Sequence, residues 1–116
     1  MAANQVIDNT TNKYAFGLND YVKDFAKAIG AKHFMNHKVW QPEVWKAFSD
    51  PIGEIHFLLD GIDDTLINMN NQPWRSGINW ELNLLYDMKA VFERTIFYYY
   101  GESYIGLEVF SKVKPL

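Results

Sequence analysis

Residues 52–69, IGEIHFLLDGIDDTLINM, can form either a helix or a strand followed by a turn, and the predicted architecture depends on which of the two forms. Its apolar side chains recur at spacings of three and four residues, which is the period of one helix face. The alternative is a strand over residues 54–59 with a turn at Asp60-Gly61. We predict the helix because six apolar positions keep one register, although Gly53 and Gly61 would each cost it about 1 kcal/mol.

Two further helices are predicted on the N-terminal side of this stretch. Apolar side chains follow helical spacing over residues 21–29, and the preceding Asn19 is a suitable N-cap. Gly30 is typical of a helix end. Gln41-Pro42 indicates the start of a second, shorter helix, which residues 49–51, Ser-Asp-Pro, are expected to end.

The C-terminal part is predicted to form a long helix and then a β-hairpin. Residues 79–93 have two adjacent apolar stripes, which is typical of a helix at the centre of a fold. Residues 95–100 and 104–110 are β-branched and aromatic, and Gly101-Glu102 suits a two-residue type II′ turn. The predicted class is α+β, with three to four helices packed with a C-terminal antiparallel β-hairpin. The alternative, in which the helix continues through Tyr100, is an all-α bundle.

The predicted turn pairs Tyr100 with Ser103 and sorts the hairpin residues onto two faces. The face predicted to be core consists of Ile96, Tyr98, Ile105, Leu107 and Val109. The second face consists of Thr95, Phe97, Tyr99, Tyr104, Glu108 and Phe110. If no helix covers the second face, its rings form an exposed patch of the kind that usually binds a partner. The alternative is that a helix covers it and both faces are core.

The composition is typical of one globular domain of 116 residues, with 48% hydrophobic and 16% aromatic residues. We predict a flexible N-terminal segment at residues 1–13 and a single domain at residues 14–116. The chain has no cysteine, which excludes disulfides, thiolate nucleophiles and Cys-ligated zinc. The N-terminus does not resemble a signal peptide and no run of about 20 apolar residues occurs, so we expect a cytoplasmic protein that does not bind membranes.

Acidic charge is concentrated between positions 46 and 75. The segment has five carboxylates and no Lys or Arg, so it carries −5 while the rest of the chain carries +2, which together give −3. If the segment is a helix, Phe57 lies near Asp60, Asp63 and Asp64, away from the apolar stripe. A ring flanked by carboxylates suits a basic protein partner. The alternative is a solvated helix face, and the negative net charge argues against a nucleic-acid partner.

No motif for catalysis, a cofactor or a metal is evident. His33 and His37 have the i, i+4 spacing of zinc ligands, but Gly30 is expected to end the helix before them. We therefore predict structural or surface roles for these two and for His56. Pairs of aspartates on an exposed helix rarely have the desolvation that shifts a pKa. We expect no cofactor and no metal, and catalytic activity is less expected than binding.

The leading hypothesis is a small acidic protein–protein binding module, such as an inhibitor or immunity-type protein that masks a basic site on its partner. Its predicted partner-binding residues are Phe57, Asp60, Asp63, Asp64, Trp74, Phe97, Tyr99, Tyr104 and Phe110. The second hypothesis is a small-molecule-binding or enzymatic domain, with a pocket between helices and hairpin near Tyr98 and Trp80. The third is a homo-oligomeric structural subunit that pairs through the hairpin.

Overall fold

The computed structural model describes residues 12–33, 40–62, 67 and 77–111, the side chains of Asn79, Phe110 and Ser111 excepted. Five strands form one sheet. They are β1 Lys13–Phe16, β2 Lys32–His33, β3 Glu54–Leu58, β4 Ile96–Tyr99 and β5 Glu102–Ile105. Their order is β2-β1-β3-β4-β5, and β5 alone runs antiparallel to its neighbour.

Four α-helices connect the parallel strands in the part of the chain that the structure describes. They are α1 Asn19–Ile29, α2 Trp40–Phe48, α3 Gly77–Asp87 and α4 Lys89–Arg94. A 3-10 helix, Gly106–Ser111, follows β5. The α+β class is therefore confirmed, but the sheet has parallel central strands where the sequence predicted a C-terminal hairpin alone.

The strand order reverses direction between β1 and β3. The chain passes from β1 through α1 to β2 on one side, and then crosses back so that β3 lies on the other side of β1. α1 covers one face of the sheet, whereas α2, α3 and α4 contribute to the core on the opposite face. In sheets of this doubly wound kind, ligands bind beyond the carboxyl ends of the strands, where the order reverses.

The predicted helix over residues 52–69 is wrong where the structure describes the segment, because residues 54–58 form β3. Both faces of this parallel strand are covered: Ile55 and Phe57 are fully buried on one face, and His56 is 6% exposed on the other. Such a strand is apolar almost throughout and lacks clear alternation, so its spacing can be mistaken for a helical one. The turn that follows contains Gly61 at φ +81°, and a Cβ there would lie 2.8 Å from the Tyr21 ring.

The N-terminal helices agree with the sequence, whereas the long C-terminal helix is divided. α1 ends at Gly30, which adopts the left-handed conformation at φ +70°, but its N-cap is Leu18 and not Asn19. α2 begins at Trp40, two residues before Pro42. The predicted helix over 79–93 is interrupted at Met88, so that α3 and α4 are separate helices.

The hairpin forms with a different turn from the predicted one. Tyr100 and Gly101, at φ +47° and +88°, make the two-residue loop, as a type I′ turn requires. Phe97 consequently pairs with Tyr104, and each strand residue keeps its predicted face. The buried face is the opposite one, however: Phe97 is 0% exposed and Ile105 is 54% exposed. The reason is that α4 packs its Phe92 ring against Phe97, 5.7 Å between centroids.

The main core lies between the sheet and α2, α3 and α4. Phenylalanines dominate it, with Phe16 and Phe48 rings 5.0 Å apart and Phe57 and Phe97 rings 6.1 Å apart. The core under α1 is smaller, and its buried residues are Ala15, Val22 and Ala26. None of the described helices is both long enough and apolar enough to cross a bilayer.

Candidate functional site

The beginnings of α2 and α3 lie on the same side of the fold. The chain leaves each parallel strand at its carboxyl end, and a crossover helix then returns it toward the amino end of the next strand. The first turns of both helices therefore lie toward the carboxyl edge of the sheet. Direct contact between the two starts supports this, since a Cβ added to Gly77 would lie 3.3 Å from the Trp40 ring.

A buried carboxyl group occupies this position. Glu81, in the second turn of α3, is 4% exposed. Its Oε2 accepts a hydrogen bond of 2.8 Å from the indole Nε1 of Trp40 at the start of α2. Its Oε1 is also buried, and no group in the described part of the chain forms a hydrogen bond with it. An unsatisfied buried polar atom destabilises a fold by about 1–3 kcal/mol, so such groups point to a function.

Burial keeps this carboxyl group protonated. Loss of solvation raises the pKa of Glu81 to about 8, and the hydrogen bond from Trp40, which favours the anion, offsets only part of that effect. At neutral pH the side chain is therefore mostly neutral and holds a proton that it can donate. A carboxylic acid with a pKa near the working pH is the usual form of a general acid or base in an enzyme.

Two indole rings lie near the acid. The rings of Trp40 and Trp80 are tilted against each other with centroids 5.1 Å apart. Trp40 is 7% exposed, whereas Trp80 is only partly buried. The pair of indole rings therefore extends from the buried carboxyl group, which Trp40 binds, to the partly exposed ring of Trp80.

Sequence reasoning missed Glu81, although one signal was present. Ile78, Glu81, Leu82 and Leu85 lie at i, i+3, i+4 and i+7, which is the pattern of one buried helix face. All four are buried in the structure. A glutamate at one position of an otherwise apolar face is therefore a recognisable indication of a buried acid.

Two of the predicted partner-binding residues are core residues. Phe57 and Phe97 are both 0% exposed, on neighbouring strands β3 and β4. The prediction that these rings face solvent was wrong, because α2, α3 and α4 cover this face of the sheet. Neither ring is therefore available at the surface to bind a partner.

Three other predicted residues lie at the rim of the fold. Asp60 is partly buried, and its Oδ1 accepts a hydrogen bond of 2.7 Å from the backbone N–H of Tyr100. Tyr99 and Tyr104 are partly buried and pack against the main core. The Tyr104 hydroxyl donates to Glu102, and this hydrogen bond raises the pKa of the phenol.

The remaining predicted residues lie outside what the structure describes. Asp63, Asp64 and Trp74 are not among the described residues, and Phe110 is described only through its backbone. Among the described residues, no group of three or more His, Asp or Glu side chains is arranged to hold a metal ion.

A second polar cluster lies on the α1 face of the sheet. His56 Nε2 lies 3.1 Å from Glu54 Oε1, and His56 Nδ1 lies 2.9 Å from the Tyr98 hydroxyl. Partial burial, and then the nearby Glu54 carboxylate, raise the pKa of Tyr98, so its phenol stays protonated and can donate to His56. The Phe25 ring of α1 covers Tyr98 at 4.9 Å. Both imidazole nitrogens therefore have hydrogen-bond partners.

No family model, no curated protein and no solved structure matches the chain.

Proposed function

We propose that this protein is an enzyme acting on a small molecule, with Glu81 as its general acid. One observation supports this above all: a carboxyl group that is 4% exposed has one oxygen without a hydrogen-bond partner in the described part of the chain. It lies toward the carboxyl edge of a doubly wound sheet, where such folds place their ligands. The proposal develops the second of the sequence-based hypotheses, which expected a pocket between helices and hairpin near Tyr98 and Trp80. It keeps only the Trp80 side, because Tyr98 packs against Phe25 of α1 on the opposite face of the sheet.

The proposed chemistry is proton donation to a leaving group. Below pH 8 the Glu81 carboxyl is mostly protonated, so it can give its proton to a departing oxygen or nitrogen atom as that bond breaks. The carboxylate that results takes a proton back from the attacking water or alcohol, which restores the acid. Trp40 holds Oε2 in place during both steps through its 2.8 Å hydrogen bond.

The surroundings of Glu81 favour a substrate with a flat apolar part. Trp80 is adjacent to Glu81 in sequence and touches Trp40, which binds the acid directly. Aromatic side chains bind flat rings by stacking or by edge-on contact, and each such pair contributes about 0.5–1.5 kcal/mol beyond its buried area.

Metabolite depletion tests the proposal with an unidentified substrate. The purified chain is incubated with a small-molecule extract, and mass spectrometry follows the compounds that disappear. We expect the wild-type chain to consume at least one compound with a ring, and Glu81→Gln to consume it at least about 100-fold more slowly. Glutamine has nearly the same shape but cannot donate a carboxyl proton.

The matched control is Glu93→Gln, which makes the same chemical change at an exposed position of α4. This variant should consume the compound at the wild-type rate. If the wild-type chain consumes nothing, or if Glu81→Gln is as active as Glu93→Gln, Glu81 is not a general acid.

A second candidate function is protein binding at the same edge of the sheet, and exposed tyrosines favour it. Tyr100 and Tyr21 are 62% and 49% exposed. Both approach Gly61, since the Tyr100 hydroxyl accepts its N–H and the Tyr21 ring lies against its Cα. Asp60 lies beside them, so rings and negative charge meet at one place, as the hypothesis of an acidic module that masks a basic site requires.

Asp60→Asn tests this second candidate, because asparagine removes the charge but keeps an oxygen that can accept the Tyr100 N–H. Combined with Asp64→Lys, it should weaken binding to a basic protein partner at least about tenfold, with little change in thermal stability. The measurement is affinity purification from the native host, followed by titration of the partner found. Equal retention of the partner by both chains would exclude this edge as the interface.

A further inference from the structure

Positive charge is concentrated in the N-terminal part of the chain. Residues 13–46 contain six lysines and three acidic residues, so this part carries +3 although the whole chain carries −3. The net charge led the sequence analysis to expect no nucleic-acid partner. That argument applies only where charges of both signs are mixed over the surface, and here they are separated along the chain.

The fold brings four of these lysines to two adjoining grooves. The first groove, about 440 Å³ in volume, lies between α1 and β2. Lys23, Lys27, Lys32 and His33 line it with their polar side chains. The small residues Ala26, Gly30 and Ala31 complete its lining.

The second groove is larger and contains aromatic rings. It has a volume of about 850 Å³ and extends from Lys32 to α2, where Trp45 and Lys46 line it. Trp45 is 53% exposed, which is unusual for so large an aromatic side chain. Tyr14 lies in the same groove with the ammonium group of Lys32 5.7 Å from its ring centroid. Lys32 lines both grooves and joins them, and we call the pair the basic groove.

Within the described residues, the basic groove keeps a net positive charge, because its four lysines outnumber the two carboxylates that line it. In the described ranges, Lys23, Lys27, Lys32 and Lys46 form no ion pair with a carboxylate. The groove contains two carboxylates, those of Glu43 and Asp50. Both oxygens of Asp50 are occupied, one by the Tyr14 hydroxyl at 2.9 Å and one by the Ile52 N–H at 3.0 Å.

We propose that the basic groove binds single-stranded nucleic acid. Backbone phosphates lie against Lys23, Lys27, Lys32 and Lys46, and one base stacks on the exposed indole of Trp45. Lysines that follow a phosphate backbone, together with an aromatic ring for an unpaired base, are the two components of single-strand recognition. A duplex keeps its bases stacked inside and offers none to Trp45, and an acidic peptide offers charge without a flat ring.

Fluorescence anisotropy with a labelled 12-nucleotide oligo(U) strand tests the proposal on the full chain. Four lysines that neutralise four phosphates predict a slope of about −3 for log affinity against log salt, so that affinity falls roughly 50-fold between 50 and 200 mM salt. Trp45→Ala should weaken binding about tenfold, because it removes the stacking contact. Lys27→Ala should weaken binding about fivefold and reduce the steepness of the salt slope by about 0.7.

Lys89→Ala is the matched control, because Lys89 is also an exposed helical lysine but lies on α4, which lines neither half of the basic groove. It should leave the affinity unchanged. Equal weakening by Lys89→Ala and Lys27→Ala would show general attraction to a polyanion and would overturn the proposal. Absence of binding at 50 mM salt, or displacement of the oligonucleotide by polyglutamate at the same concentration of charges, would also overturn it.

This inference is independent of the proposed enzyme activity. Glu81→Gln should bind the oligonucleotide like the wild-type chain, because Glu81 lies outside the basic groove. Trp45→Ala should in turn leave the depletion of small metabolites unchanged, so that failure of one proposal is distinguishable from failure of the other.

Discussion

The two faces of the sheet bury polar groups in opposite ways. On the α1 face, the imidazole of His56 is nearly inaccessible, yet both its ring nitrogens have partners, Glu54 and Tyr98. On the face covered by α2, α3 and α4, Glu81 is similarly inaccessible but has only one partner in the described part of the chain, Trp40. A completed hydrogen-bond network stabilises and orients its neighbours, whereas an incomplete one reduces stability without any structural benefit. The incomplete cluster around Glu81 is therefore the better candidate for function, even though the His56 cluster has more titratable groups.

The largest effect is expected from removing a ring on the heavily packed face. Phe57→Ala should lower the free energy of unfolding by about 3–5 kcal/mol, because the ring is fully buried among Phe16 and Phe97. Phe25→Ala, on the α1 face, should cost less than half as much, because Phe25 is only partly buried. Urea denaturation measures both. Equal losses would show that the two faces contribute equally to stability.

Glu81→Gln should change how stability depends on pH. The pKa of Glu81 is about 8 in the folded chain and 4.5 for the free side chain, so the folded state holds an extra proton between these values. Stability from this group is fully present below pH 4.5, decreases as the pH rises, by at most about 1.4 kcal/mol per pH unit, and is lost above pH 8. Glutamine cannot ionise, so the variant should be more stable than the wild-type chain at pH 9, by about 2 kcal/mol or more.

The measurement is urea unfolding of both chains at pH 5, 7 and 9, with Glu93→Gln as control. The advantage of Glu81→Gln over the wild-type chain should increase steadily with pH, and Glu93→Gln should show no such trend. If the difference in free energy of unfolding between Glu81→Gln and the wild-type chain did not vary with pH, Glu81 would be ionised in the folded chain.

Tyr98→Phe should have a moderate effect on the α1 face. The change removes the hydroxyl that binds His56 Nδ1 at 2.9 Å and keeps the ring that packs on Phe25. We expect a loss of about 1 kcal/mol in the free energy of unfolding, the usual net contribution of one hydrogen bond. Metabolite depletion should be unaffected in this variant. If Tyr98→Phe no longer consumed the metabolite but was as stable as the wild-type chain, the catalytic site would be the His56 cluster and not Glu81.

The smallest effect is expected at Ile105, which the sequence placed in the core and the structure leaves 54% exposed. Ile105→Thr keeps the β-branched side chain that suits a strand and should change stability by less than about 0.5 kcal/mol. Thermal unfolding measures the difference. A loss above about 2 kcal/mol would show that the α1 face is covered as far as β5.

The success of the sequence-based predictions varied with how local the deciding interaction is. α1 and its end at Gly30 follow from neighbouring residues, and so do the two strands of the hairpin. β3 was predicted as a helix, because its partner strands β1 and β4 are more than 35 residues away in the sequence. The buried hairpin face was also assigned wrongly, since only the position of α4 decides which side of Phe97 is covered.

The candidate sites show the same limit. Glu81 could be recognised as an acid on an apolar helix face, but its missing partner becomes apparent only once Trp40 is placed beside it. The basic groove could not be predicted at all, because its lysines come from α1, β2 and α2 and meet only after folding. Charge summed over the whole chain concealed this separation.

The two outer strands of the sheet, β2 and β5, are short in the part of the chain that the structure describes. β2 has two residues and β5 has four. At Gly106, whose N–H donates a hydrogen bond to the Thr95 carbonyl oxygen, the chain turns from β5 into the 3-10 helix. A Cβ at Gly106 would lie 2.9 Å from the Glu93 carbonyl oxygen, so glycine allows this sharp departure from the sheet. Within the described residues, neither border offers a long row of free backbone groups on which a foreign strand could be added. At the β5 border, this early departure from the sheet disfavours fibril-like stacking of copies, although the chain is rich in aromatic and β-branched residues.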